Sequence, residues 1–278
     1  MWMFLNLKPS PLATNHEPFP ACTRMTHIWY NKKYAIAIKH PIRGLLYECT
    51  DYFLNHSGFA VETDSKVLVF DYYKDPSGTV KAYSHVGKKP LWFFVSHWHE
   101  DHFNSSIGQF GGAQYIVNED VHLKEIPADK FHAMKLYDTL ELGDTTVTQY
   151  GSTDEGGSFL VETDGLKIFH AGDLNWWHWL GDTDENNAEA KGNFDREMKH
   201  LAGQTFDIVF FPVDARLEGA REWGVTGFLK DVSVTKCLIP MHYFGTPWTP
   251  SSAFKQAYPD VPLWIPQHDG DDVIIDGQ

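Results

Sequence analysis

Short apolar runs recur along this chain, and each ends on an acid or a histidine. KVLVFD closes at Asp71, LWFFV runs into SHWHEDHF at residues 96–103, LKIFHAGD closes at Asp173, DIVFFPVD at Asp214 and KCLIPMH at His242. Runs of β-branched and aromatic residues bounded by Gly, Pro or Asp are strand signals. Polar side chains at strand ends can converge on one edge of the sheets. Helical pattern lies between the runs. Residues 188–204 carry Phe194, Met198 and Leu201 at helical spacing with Gly203 as a stop, and 222–232 form a second expected helix before a strand at 234–239. Strands with intervening helices imply an α/β or α+β sandwich.

The chain has 278 residues, 42% of them hydrophobic, enough for a sizeable core. No repeat or linker interrupts residues 45–278, which are read as one domain. Residues 1–44 are read as an N-terminal arm and lead-in, with Met25 as an alternative start. Lys and Arg number 23 against 37 Asp and Glu, a net charge of −14 that argues against a nucleic-acid partner. Cys22, Cys49 and Cys237 form no CxxC pair, so a reduced, cytoplasmic setting is expected. No apolar run approaches the ~20 residues of a membrane span, and no basic leader precedes the first apolar residues, so neither a membrane partner nor a signal peptide is expected.

The densest feature is the histidine cluster. His97 and His99 are two apart, so in an extended segment they face the same way and can share one divalent cation. Asp101 and His102 follow where the chain turns, and can face a second cation. Trp98 and Glu100 alternate outward and are expected to pack or to support the ligands from behind. Imidazole with carboxylate suits zinc, manganese or iron. Two such ions about 3.5–4 Å apart can share a hydroxide and stabilise a leaving oxygen.

HWHEDH resembles the HxHxDH signature of the metallo-β-lactamase-fold hydrolases. HAGDLN and PMHYFG are similar to that superfamily's bridging-aspartate and final-histidine motifs, and NHSGFAVETDSKVLVFD to its opening pair of strands. The resemblance implies an αββα sandwich, two mixed sheets flanked by helices, with a dinuclear site at one edge. It assigns His97 and His99 to the first metal and Asp101 and His102 to the second, with Asp173 bridging and His242 completing the second site. One position departs from the pattern: Asp154, in GSTDEGG, stands where a further histidine is expected. The arrangement STDEG…FHAGDLNWWHW resembles that of a bacterial subgroup, and the general outline is distantly similar to the ascorbate-phosphate lactonase-like branch. Asp154 is therefore a candidate first-site ligand, with a turn or helix-capping aspartate as its alternative. Two divalent ions are expected, zinc first, with manganese or iron favoured if Asp154 contributes an oxygen.

Other residues have narrower readings. Asp71 and Asp214 are candidates to orient ligand imidazoles, or are turn aspartates. His56 lies in an early turn from which it can approach the site, with a hydrogen-bonded structural histidine as the preferred reading, and His170 is read as a core histidine or a support for the ligands rather than a ligand. Of Trp176, Trp177 and Trp179, at least two are expected to fill the gap between sheet and helix, the others to wall a pocket. The acidic stretch after them is read as a solvated loop. Arg216 and Arg221 are candidate anion contacts or surface ion pairs, and Tyr243 a candidate oxyanion contact or a packed tyrosine.

The expected function is a metal-dependent hydrolase. A metal-held hydroxide attacks an ester, lactone, amide or phosphodiester of a small molecule, with Asp101, Asp173 and His242 as catalytic residues. The rival is a non-hydrolytic di-metal protein, a redox di-iron module or a metal-dependent binding protein. A homo-oligomer is compatible with either.

Overall fold

The structure is a computed structural model and describes residues 48–86 and 89–276. The expected N-terminal arm, Met25 and Cys22 lie outside the described residues. The chain opens with β1 (Glu48–Asn55), β2 (Gly58–Glu62), β3 (Val67–Phe70), α1 (Thr79–Val86), β4 (Leu91–Val95), β5 (Gln114–Asn118) and β6 (Phe131–Met134). A second group follows: β7 (Thr139–Leu142), β8 (Thr145–Gly151), β9 (Gly157–Thr163), β10 (Leu166–His170), α2 (Asp184–Leu201), β11 (Thr205–Pro212), α3 (Trp223–Asp231) and β12 (Ser233–Met241). α4 (Ser252–Ala257) and β13 (Asp272–Asp276) close the described chain. Among the described residues the strands form two mixed sheets, ordered β13-β1-β2-β3-β4-β5-β6 and β12-β11-β10-β9-β8-β7.

The two sheets pack face to face over a core rich in phenylalanine, including Phe59, Phe70, Phe94, Phe159, Phe169 and Phe210. Each such side chain contributes roughly 1.5–3 kcal/mol on burial. The other face of the first sheet carries Val69, Phe93 and Tyr115, which pack with Val80 of α1 and Ile107 in a second buried cluster. β4 reads LWFFV and is buried at every position because both of its faces are covered. The expected αββα layering is what the chain adopts.

α2 begins earlier than its apolar spacing predicts. Thr183 accepts a hydrogen bond from the Asn186 backbone N–H, and Asp184 and Glu185 occupy the first turn, where negative charge complements the helix dipole. The stretch read as an acidic loop is thus a capped helix start. Phe194, Met198 and Leu201 form the buried stripe, and Gly203, with φ of 77°, follows the helix end. α3 starts and stops within a residue of its expected bounds, and β12 extends the strand read at 234–239 in both directions.

Strand direction brings the site together. β3 runs parallel to β4 in the first sheet, and β10, β11 and β12 run parallel in the second. The residues after their C-terminal ends therefore line up along one edge of the sandwich.

Candidate metal centre

Asp71 follows β3, and Ser96–His102 follow β4. Ser152–Gly156 connect β8 to β9, while Asp173, Asp214 and His242 follow β10, β11 and β12. The edge requires a glycine where backbones approach. Gly156 has φ of 64°, and a Cβ there would come within 2.1 Å of the Ser96 carbonyl oxygen. The Gly157 N–H donates to that same oxygen at 3.1 Å, tying the Asp154 loop to the histidine loop. Thr153 joins it to the next loop, its hydroxyl donating to the Asn175 carbonyl at 2.6 Å and accepting from the Asn175 N–H at 2.8 Å.

Asp173 is the hub. Its Oδ1 lies 3.1 Å from His102 Nε2 and 3.4 Å from His242 Nε2, and its Oδ2 lies 3.5 Å from His97 Nε2. Three donor groups form around it, each with ligand atoms within 4.8 Å of one another: His97, His102 and Asp173; His99, Asp154 and Asp173; and His56, Asp101, His102 and His242. All seven sequence-predicted ligand positions therefore fall in one cluster. His99 groups with Asp154 and Asp173, and Asp101 with His102 and His242, as the sequence implies, whereas His97 groups with His102 rather than with His99.

His56 is the residue that sequence reasoning set aside. Its ring lies 4.1 Å from that of His242, and its Nε2 lies 3.4 Å from Asp101 Oδ2. The signal was its place in a tight turn, NHSG, between two strands. A lone histidine has no neighbouring ligand to set a spacing, so its turn alone favours the structural reading.

Outer hydrogen bonds fix the imidazoles, as is usual for metal-binding histidines. His102 Nδ1 lies 2.7 Å from Asp71 Oδ2, and His242 Nδ1 lies 3.0 Å from Asp214 Oδ2. His97 Nδ1 lies 2.9 Å from Ser96 Oγ, which itself donates to Asp71 at 2.7 Å. Each of these rings is left to present Nε2 to the centre. Asp71 and Asp214 are thus partners of the cluster histidines. His170 stacks on Phe70 at 5.1 Å and meets the Ser57 carbonyl through Nε2 at 2.9 Å, in line with a core role.

A direct observation supports the fit of a cation. His56 Nε2, His97 Nε2, His102 Nε2 and Asp173 Oδ1 are all buried without a hydrogen-bond partner. Orphaned buried polar atoms are costly, about 1–3 kcal/mol each. Their convergence, with mixed imidazole and carboxylate chemistry, suits divalent transition cations. Burial opposes ionisation of Asp173, but His102, His242 and His97 outweigh it and hold the carboxyl well below the usual range. Burial likewise disfavours the His102 imidazolium, yet Asp173 and Asp71 prevail and push its pKa well above the ordinary value. His97, desolvated and beside His102, is pushed down to about 4. Burial, and after it the negative charge of Asp173, raise Asp154.

A cavity of about 480 Å³ opens onto this centre, lined by His99, Asp154, Asp173, Trp177, Trp179 and Arg216 among others. Trp177 and Trp179 stack at 6.0 Å as one wall, and the Trp177 Nε1–H donates to the Asp173 carbonyl. Only Trp176 of the three packs behind the wall, against Phe194 and Trp223. Arg216 binds Asp214 through Nε and Nη2 and lies 4.0 Å from the Phe244 ring, so its charge is both paired and stacked. Arg221 donates to the carbonyls of Val213 and Thr246 and is a structural brace rather than an anion contact. The Tyr243 hydroxyl donates to the Pro266 carbonyl at 2.7 Å, which makes it the packed tyrosine and removes it as an oxyanion contact. Trp98 is 51% exposed and does not pack in the core.

Cys49 and Cys237 are buried free thiols. Among the described residues no helix is long and apolar enough to cross a membrane.

No family model matches the chain. Among curated proteins it is 27% identical over 210 residues to a UPF0173 metal-dependent hydrolase of Alkaliphilus metalliredigens, covering 69% of this chain and 83% of that one. It is 26% identical over 225 residues to a UPF0173 metal-dependent hydrolase of Pyrococcus abyssi, covering 74% and 88% respectively. Among solved structures, the metallo hydrolase Igni18 of Ignicoccus hospitalis superposes with a TM-score of 0.55 at 17% identity, over 82% of this chain and 98% of that one. With its two packed sheets, its HxHxDH segment and a histidine–aspartate cluster at the strand ends, the chain has the metallo-β-lactamase fold and is similar to the UPF0173 metal-dependent hydrolases.

Proposed function

We propose that the protein is a metal-dependent hydrolase of small molecules that uses two divalent cations to cleave an ester, lactone, amide or phosphodiester. The observation that carries this reading is the set of buried, unpartnered nitrogen and oxygen atoms converging on Asp173 beside an open cavity. Divalent cations held there supply an activated water near neutral pH and polarise the scissile group. His97, His99, Asp154, Asp173, Asp101, His102 and His242 are the residues that would hold them.

The protein's own residues do the rest. Asp101 sits beside His56, whose imidazole keeps its carboxyl well below the usual range, so it is ionised at neutral pH and placed to orient an attacking water. Asp214 and Asp71 hold His242 and His102 in one tautomer. Trp177 and Trp179 give the substrate a flat wall, and the cavity volume is that of a small-molecule site. The net charge of −14 and the modest cavity volume favour a small molecule over a nucleic acid. For metal identity, the proposal is zinc where imidazoles dominate, and manganese or iron beside Asp154 and Asp173.

The pairing of Asp154 with Asp173 also favours one second reading, a non-hydrolytic di-metal protein. Elemental analysis combined with an ester and phosphodiester screen separates the two. The hydrolase reading expects turnover that disappears on chelation and returns with added zinc or manganese. Turnover that survives complete metal removal contradicts it, and iron with reversible absorbance changes and no hydrolysis supports the rival.

A further inference from the structure

His56 lies outside the HxHxDH, HAGD and PMH segments, yet it reaches the same centre. Its side chain is buried, and its Nε2 is one of the unpartnered atoms there. At 3.4 Å from Asp101 Oδ2, that nitrogen has a charged neighbour but no aligned hydrogen bond. The backbone holds the ring in place. His56 has φ of 56°, a left-handed conformation uncommon for a side chain of this size, and its carbonyl accepts the His242 N–H at 3.2 Å. His242, itself at φ of 59°, packs its ring 4.1 Å from that of His56. Two left-handed residues thus lock two imidazoles side by side, and strained backbone of this kind persists where the surroundings over-determine it.

The donor sets on the two sides of Asp173 differ in chemistry. His56, Asp101, His102 and His242 offer three imidazoles and one carboxylate, while His99, Asp154 and Asp173 offer one imidazole and two carboxylates. His97 joins one member of each. Imidazole suits zinc, and carboxylate oxygen suits harder cations such as manganese.

We propose that His56 is a metal ligand, completing with Asp101, His102 and His242 a nitrogen-rich cation site whose metal preference differs from that of the oxygen-rich site of His99, Asp154 and Asp173. This inference rests on the metal-centre reading above. The nitrogen-rich site is the tighter one for zinc, so the protein fills it first.

The test uses the full chain stripped of metal, with far-UV circular dichroism confirming that it stays folded. Zinc is titrated against a chromophoric chelator in the wild type and in His56→Asn, an exchange chosen because Asn tolerates a left-handed backbone. The variant should lose about 10–100-fold in affinity at the tighter zinc site and keep the weaker site unchanged. A second measurement needs no variant. In the cobalt(II)-loaded wild type, proton NMR should show paramagnetically shifted, exchangeable imidazole signals from His56, His97, His99, His102 and His242. Equal zinc affinity in both proteins, or a wild-type spectrum lacking the His56 signal, overturns the proposal and leaves His56 as a residue that orients Asp101. A wild type that binds no zinc overturns the metal-centre reading itself, so the two failures are distinguishable.

Discussion

His102 Nε2 lies 3.1 Å from Asp173 Oδ1, and both atoms are buried without a hydrogen-bond partner. A cation bound to both, at about 2.0–2.2 Å from each, would sit to one side of the line between them. Asp173 belongs to the group of His99 and Asp154, and its Oδ1 also faces His102 and His242 of the nitrogen-rich group, so Asp173→Ala should disturb both cation positions. Bound metal per chain should fall, and metal-dependent turnover should drop at least ~100-fold. Elemental analysis beside steady-state kinetics checks both.

Asp214 accepts from Arg216 and faces His242 Nδ1. His242 and Arg216 together outweigh its burial and hold its carboxyl down at about 2. Asp214→Asn removes the charge but keeps the shape, leaving the His242 ring less firmly oriented. Metal affinity should fall about 10–100-fold with the fold retained. Competition with a chelator measures the first, and the thermal unfolding midpoint checks the second.

Asp154 gives its donor group a second carboxylate in place of an imidazole. Asp154→His should shift the centre toward zinc, raising the zinc-to-manganese ratio after equilibration with an equimolar mixture. An unchanged ratio would mean that Asp154 is only a turn residue.

Asp51, in β1, has no hydrogen-bond partner for either carboxylate oxygen. Burial raises its pKa well above the ordinary 3.8, offset only in part by Cys49. Above 3.8 the unfolded carboxyl gives up its proton while the folded one keeps it, so this residue costs stability as pH rises toward its folded pKa. Asp51→Asn cannot ionise and should be the more stable protein at pH 8.5, by about 1–3 kcal/mol, with a smaller gain at pH 5.5. Chemical denaturation at the two pH values tests the sign and the trend.

Much of the candidate centre was legible because several of its side chains close apolar runs, and parallel strands carry such residues to one edge. Asp71, Asp173, Asp214 and His242 could be found in this way. The HxHxDH spacing marked His97, His99, Asp101 and His102 without any long-range information. His56 could not be found from pattern, since its role depends on the turn conformation and on a ring 186 positions later in the chain, that of His242. The tryptophans were misread for a related reason. WWHW has no strict period, and only the packing of α2 and Trp223 decides that Trp176 turns inward while Trp177 and Trp179 face the cavity. The start of α2 was missed because its first turn is polar and its signal is a cap, Thr183, rather than an apolar stripe.

The central claim is that the orphaned atoms around Asp173 hold two cations. Anomalous scattering from metal-loaded crystals, recorded at the zinc and manganese absorption edges, tests it most directly. Two peaks about 3.5–4 Å apart are expected, both within bonding distance of the Asp173 carboxylate. No peak at this edge of the sandwich, with His102 and Asp173 bonded directly to each other, would contradict it.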